Sequence, residues 1–455
     1  MTLRIGNGAG FWGDDLDAPR RLVESARLDY LTLEYLAELT LSILARLREK
    51  DPAAGYAHDL LPVLRSLLPA LESQPGLKIV TNAGGMNPQS CARAAAAILR
   101  EAGLGATSIG VVSGDDLLPR LDELQSAGGC DFTNLDDGRP LRDLRQPIVR
   151  ANAYVGARPI ADALAAGARI VITGRVADAS LTVGPAMHEF GWSWTDWNRL
   201  AAASTAGHLI ECGAQATGGY LPDWADARLE DVGYPIAELE SDGSFVITKP
   251  SGTGGRVTPT TVAAQLVYEI GDPRHYLTPD VDCDFTSVRL DDLGDGRVRV
   301  SCAAGGPAPA QLKVSLAYRD GFLADGRLVV FGDDCEAKAR ACAEIVWSQL
   351  RRAGYEYERS HVELLGTGAG VPGSQPPPAG LKEIVLRLAV HDSRREAVER
   401  FTRAFAPLAT SGPAGLAGYT QARGEVRPVF AYWPTLVPRD AVRPTVDVRS
   451  AEAWR

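Results

Sequence analysis

The sequence lacks the devices that would staple, anchor or strongly charge a chain. It has seven cysteines. They are scattered, odd in number and free of any C-x-x-C spacing, which excludes a zinc ribbon or a disulfide framework as the organising device. No run of about 18 apolar residues occurs, so no membrane-spanning helix is expected. The first residues open a strand (Leu3-Arg4-Ile5) rather than the apolar core of a leader, so a cytoplasmic protein is expected. Basic residues are the minority: 47 Lys and Arg against 57 Asp and Glu leave a net charge of -10. That balance argues against nucleic acid or an anionic membrane as the main partner, though a local cationic pocket can still hold a small anion. Gly6-x-Gly8-x-Gly10 lacks the G-x-G-x-x-G spacing of a dinucleotide fingerprint, and Lys249 to Gly255 lacks the order of a P-loop.

What is present reads as an α/β protein. The 455 residues exceed one ordinary core and imply two or three domains, and 45% apolar with 23% charged residues is a globular composition. Abundant Ala, Gly and Arg with few Lys resemble a high-GC bacterial coding bias. Short apolar runs (Leu28 to Glu34, Leu77 to Thr81, Ser108 to Val112, Ile170 to Ile172) each lead into a small-residue loop and a helical pattern. This alternation predicts a parallel sheet with helices on both faces, over residues 1–275. Tyr234 to Thr248 predicts a hairpin. Residues 276–445 predict an α+β two-layer domain, with strands on either side of a Gly/Pro loop over 366–380. The last ten residues, 446–455, read as a loose tail.

Chemistry concentrates between Ile170 and Tyr220. A strand ends in Thr173-Gly174-Arg175-Val176-Ala177-Asp178, and Gly207-His208-Leu209-Ile210-Glu211-Cys212-Gly213 follows a helical pattern. In open α/β sheets ligands bind beyond the carboxyl ends of the strands. On a helix, His208 and Glu211 share a face at i and i+3, and Cys212 lies at i+4 from His208. That face suits an acid and a base, or a thiolate beside an imidazole; a buried structural His and Cys is the competing reading. Arg175 suits a carboxylate or phosphate with Asp178 as its partner or as a base, against an exposed Arg and an Asp that merely caps the next helix. Asn82, Gly84 and Gly85, and the loop holding Lys249, Gly254 and Gly255, are candidate backbone cradles for an anion. Trp192 is a candidate wall of an acyl pocket, against a packed loop. No metal site is expected, because His plus Glu at this spacing is a fragment of one.

Several segments, taken in order, resemble the acyclic terpene utilisation (AtuA) family. They include Gly8 to Asp14, Tyr35 to Thr40, Thr173 to Leu181, His188 to Trp192, Gly207 to Gly213, Gly252 to Gly255, Tyr268 to Pro273, Tyr276 to Val281, Gly412 to Gly415 and Leu436 to Pro438. The resemblance covers about residues 4–445. It implies a setting in the breakdown of terpenols through acyl-CoA thioesters, and no catalytic role for any residue. Some family members carry a further C-terminal ferredoxin-like module, which the resemblance leaves absent here or supplied by a separate small subunit. The combined expectation is a lyase or hydro-lyase acting on a branched-chain or terpenoid acyl-CoA or hydroxy acid by hydration, dehydration or C–C cleavage. A Cys-dependent thioester hydrolase or acyltransferase is the second reading, and a non-catalytic subunit the third. No cofactor is expected beyond CoA as part of the substrate, and a homo-oligomer is.

Overall fold

The structure is a computed structural model. It describes residues 1–455 apart from 127–129, 223, 369, 372, 374–379 and 419–423. The chain begins with β1 (Leu3–Asn7), α1 (Ala18–Ser25), β2 (Tyr30–Leu33), α2 (Glu38–Lys50), α3 (Leu60–Ser73), β3 (Lys78–Thr81), α4 (Pro88–Glu101) and β4 (Ser108–Ser113). It continues with α5 (Leu121–Ser126), β5 (Ile148–Ala153), α6 (Arg158–Ala165), β6 (Ile170–Thr173), α7 (Ser180–Phe190), α8 (Trp197–Glu211), β7 (Ile236–Leu239), β8 (Phe245–Thr248) and α9 (Pro259–Leu266). Five short strands follow: β9 (Tyr276–Leu277), β10 (Asp282–Asp284), β11 (Arg289–Gly294), β12 (Arg297–Ser301) and β13 (Ala304–Gly306). The rest is β14 (Gln311–Phe331), α10 (Cys335–Arg352), β15 (Arg359–Leu365), β16 (Glu383–Asp392), α11 (Arg395–Thr402), α12 (Leu408–Ser411), β17 (Leu416–Gly418), β18 (Arg427–Pro438) and β19 (Thr445–Ser450).

Two compact units result. The first holds residues 1–145, 149–317 and 432–455, and the second 146–148 and 318–431. In the first, a 10-stranded sheet runs β11-β12-β8-β7-β1-β2-β3-β6-β4-β19. The five strands from β1 to β4 are mutually parallel. Their apolar runs are buried throughout, as at Ile170 to Thr173, which is what a central parallel strand covered on both faces requires. The order places β2, β3 and β4 progressively to one side of β1, so right-handed crossovers carry α1, α3 and α4 to one face. The chain then returns to insert β6, and α6, α7 and α8 pack together beside the other face. The expected α/β architecture is therefore present, with antiparallel strands added on both flanks of the parallel core.

The second unit is the expected two-layer α+β domain. Its sheet runs β15-β16-β14-β17, with every neighbouring pair antiparallel. The chain order is strand, α10, two strands, α11, strand, and the helices pack against an apolar core on one face. That is a ferredoxin-like β-α-β-β-α-β topology. It sits inside the chain, between two parts of the first unit. The Gly/Pro loop over 366–380 lies largely outside the described residues.

Two boundaries differ from the sequence reading. The first unit extends to Ala317 and not to 275, because β11 and β12 lengthen its sheet beyond the β7–β8 hairpin. Residues 446–455 are no loose tail. β19 pairs along the whole of β4, and buried Trp454 donates its indole N–H to the Ile109 carbonyl at 3.2 Å. The Arg100 guanidinium also binds the carbonyls of Ala451 and Trp454. Among the described residues no helix is long and apolar enough to cross a membrane.

Candidate functional site

The parallel strands end in polar residues that converge. Asn7 closes β1, Glu34 follows β2, Asn82 follows β3, Asp115 lies just past β4, and Arg175 and Asp178 lie in the loop after β6. Asn7 donates through Nδ2 to the carbonyls of Ile210 (2.7 Å) and Glu211 (3.0 Å), which pins the last turn of α8 to the end of β1. Close backbone approaches tighten the same region. A Cβ on Gly207 would lie 2.7 Å from the backbone of Ala179, and one on Gly10 would lie 2.7 Å from the carbonyl carbon of Cys212. These glycines bring α8, the β1 loop and the start of α7 together.

His208 and Glu211 form the expected pair. His208 Nδ1 and Glu211 Oε1 are 2.9 Å apart, and both side chains are nearly sealed from solvent. The imidazole packs on Tyr276 and Phe285, with ring centroids 5.2 and 5.5 Å away. Burial disfavours the imidazolium, but the bond to Glu211 and its charge outweigh this and raise the His208 pKa. Burial pushes the Glu211 carboxyl up to about 7, against the pull of His208. The two together therefore hold a proton near neutral pH. The far atoms of the pair, His208 Nε2 and Glu211 Oε2, have no hydrogen-bond partner.

Arg175 and Asp178 form a second pair, with Nη1 and Oδ1 2.6 Å apart. Arg175 is buried and lies over the Tyr154 ring, 4.1 Å from its centroid. Asp178 does not cap α7. A third of its side chain reaches solvent, while the surrounding protein raises its pKa by desolvation, with Arg175 opposing. Glu38 and Lys313 are 39% and 45% exposed and face each other at 3.4 Å. These three side chains are the solvent-reached members of the cluster. Burial opposes the charge of Glu38, but the Tyr154 hydroxyl bound to it and the Arg175 charge prevail and hold it down to about 2. Glu34 is sealed from solvent, and burial followed by the Asp178 charge raises its carboxyl well above the usual range. Glu211 feels the charges of both Asp178 and Arg175, which joins the two pairs into one electrostatic unit.

A sequence model of the acyclic terpene utilisation family protein AtuA matches residues 3–448, nearly the whole chain. The chain belongs to that family. No curated protein sequence matches it. Among solved structures, a VAO-type flavoprotein from Myceliophthora thermophila C1 aligns over 80% of this chain and 49% of its own length, at 12% identity and a TM-score of 0.14. The chain thus spans about half the length of that flavoprotein, and so poor a superposition carries no argument. Among the described residues of this AtuA-family chain, no group of three or more His, Cys, Asp or Glu side chains is placed to hold a metal ion.

The other candidates from sequence are placed differently. Cys212 is the residue just past α8, and burial together with the Glu211 charge pushes its thiol up to about 12. The His208 nitrogen that is bonded goes to Glu211 and not to sulfur. Asn82 spends its amide on Glu34 and its oxygen on Tyr35 N–H. Gly84 and Gly85 permit close packing: a Cβ on Gly84 would lie 2.5 Å from the Thr173 carbonyl oxygen, and Gly85 has φ +51. The Gly254 and Gly255 amides donate to the carbonyls of Asp231 and Ala227, so that loop offers no open cradle there. Lys249 donates within its own loop, to Thr253. Trp192 stacks on Phe190 and donates to the Ser241 carbonyl. It lies in the turn between α7 and α8, whereas Asp178 and His208 lie near the other end of this helical pair, roughly 16 Å along an 11-residue helix. Glu34, at a predicted strand's end, was one of two residues with Glu38 that could face the site, against a solvated helix start; Asn7, Asp115, Tyr154 and Lys313 were not singled out from sequence. The signal available for Glu34, Asn7 and Asp115 was a polar residue just beyond a predicted parallel strand.

Proposed function

We propose that this AtuA-family chain is a proton-transfer enzyme of the lyase or hydro-lyase type, acting on a branched or terpenoid acyl-CoA or a related hydroxy acid. The observation that carries the reading is the shared-proton pair His208–Glu211, with unpartnered Nε2 and Oε2 atoms, electrostatically joined to the solvent-reached Asp178. In a dehydration, the Asp178 carboxylate takes a proton from the carbon beside the carbonyl. The C–O bond to the departing hydroxyl breaks, and the His208–Glu211 pair supplies the proton with which it leaves as water. Hydration runs the same steps in reverse. In a retro-aldol cleavage the base takes the hydroxyl proton, the C–C bond breaks, and the acid protonates the carbon fragment. Arg175 fixes Asp178, and Lys313, solvent-reached beside Glu38, is a cation placed to meet an acidic group or a CoA phosphate, whereas Lys249 is bound within its own loop. CoA enters as part of the substrate.

The Cys-dependent reading is weaker, because a thiol raised to about 12 with no imidazole bonded to it is a poor nucleophile. The test is turnover of a panel of branched 3-hydroxyacyl-CoA and enoyl-CoA thioesters. His208→Ala and Glu211→Gln should each lower kcat by about 10²–10⁴; undiminished turnover in both would sink the assignment. Turnover that starts only on adding a small ferredoxin-like subunit would make this chain one component of a two-chain enzyme.

A further inference from the structure

Glu34 is a buried acid near Arg175 and Asp178, and its surroundings are unusual for an anion. Its Oε1 accepts from the Leu36 N–H at 2.7 Å and from the Asn82 amide. Its Oε2 is buried and has no partner. Among the described residues no cation lies in ion-pair contact with it: Arg175 Nη1 donates to the Leu36 carbonyl at 2.9 Å and to Asp178, and Arg175 Nε is left unpartnered. One residue thus separates the two groups, with Leu36 N–H turned to Glu34 and Leu36 C=O turned to Arg175. A carboxylate sealed in protein with one oxygen unanswered is unfavourable, and a carboxyl so placed takes up a proton.

We propose that Glu34 is carried as a neutral carboxylic acid at neutral pH, leaving Arg175 to balance Asp178 and Glu38 without a third carboxylate, so that Asp178 stands as the anion that removes the substrate's proton. The charged groups acting on Glu34 are Asp178 and Arg175, both from the loop after β6. Those on Asp178 are Arg175, Glu38 from α2 and Lys313 from β14, while Glu211 of α8, bonded to His208, feels Asp178 and Arg175. Burial raises both carboxyls and the Arg175 charge opposes it at both, but only Asp178 is bonded to the guanidinium. An ionised Glu34 would add a further carboxylate to Asp178 and Glu38 around one guanidinium and favour the protonated Asp178. Glu34 is in this account a positioning residue, and only the base role it protects rests on the proposed function above.

The test is a pH titration of the full chain carrying carboxyl-labelled glutamate, followed by carbon-13 NMR. One glutamate carboxyl should remain protonated after the Glu211 signal has titrated, above the range of an ordinary Glu, and vanish in Glu34→Gln. The Glu211 signal should titrate near 7 and vanish in Glu211→Gln. A wild-type spectrum with no protonated glutamate beyond that titration, or a protonated signal that survives in Glu34→Gln, overturns the proposal. Should Glu34→Gln fail to fold, Glu34→Asp serves, because it removes the signal from the labelled set. Where turnover is measurable, the acid limb of the rate profile should stay in place in Glu34→Gln. Loss of a neighbouring negative charge would instead move it to lower pH by about one unit or more. Asp178→Asn leaving that limb unmoved would overturn the base assignment while leaving the NMR result on Glu34 intact.

Discussion

Cys212 and His208 are four residues apart and take opposite parts. Their spacing alone allowed a thiolate–imidazole couple, but the chain turns out of α8 at Cys212 and the imidazole bonds back to Glu211. Cys212→Ser is therefore expected to keep kcat within about threefold of the parent, since the thiol contributes no ionised form at neutral pH. A covalent acyl adduct on Cys212, seen by intact mass, would contradict this. The His208–Glu211 pairing was legible because i and i+3 on a helix fixes proximity without tertiary information. Arg175 and Asp178 were legible as a local couple, while the choice between a capping Asp and an ion-paired one needed the packing of α7. Glu34 acquires its meaning from Asn82 and Arg175, 48 and 141 positions away in sequence, and no local pattern announces that.

The α7–α8 helical pair sets the site, and its tolerance is small. α8 is buried from Leu200 to Ile210, with a small-residue stretch that lets it lie close to its neighbours. Gly207 is a tight point, because the obstructing atoms belong to the Ala179 backbone and cannot rotate aside. Gly207→Ala should destabilise the chain by about 1–3 kcal/mol, as overpacked sites do, and should lower turnover as His208 moves from Asp178. Gly76→Ala, where a Cβ meets nothing within 4 Å, is the control and should leave the melting temperature unchanged. At this scale the strand–loop–helix units were legible from apolar runs and glycine turns. The fate of 446–455 was not: an edge strand alternating Val446, Asp447 and Val448 carries little hydrophobic signal, and Trp454 finds its place only against β4 and α4.

Across the whole molecule the buried acids give stability a sign against pH. Glu34, Asp178 and Asp280 are raised, Asp115 is pushed up to about 6 and Glu211 to about 7, all chiefly by burial. A group whose folded pKa is raised binds more protons folded than unfolded between the two values, so stability falls as pH rises through that window. His208 acts in the same direction, and His188, lowered by burial, opposes it. The melting temperature of the first unit is expected to fall between about pH 5 and pH 8, with a shallower slope in Glu211→Gln; a melting temperature that rises over that range would contradict the account. The parallel core was legible at this scale. The ferredoxin-like unit within the chain was legible only as a two-layer α+β pattern, because strand order is set by pairings such as Phe322 with Asp392 and Leu328 with Gly418, 70 and 90 residues apart. The central claim is that this cluster of side chains moves protons on an acyl substrate. Its most direct measurement is exchange of the proton beside the carbonyl of a branched 3-hydroxyacyl-CoA in deuterium oxide, followed by NMR with the parent chain, Asp178→Asn and His208→Ala. The account predicts exchange by the parent, its loss in Asp178→Asn, and exchange without net dehydration in His208→Ala. Equal exchange in the parent and Asp178→Asn, or none in the parent across the panel, would contradict it.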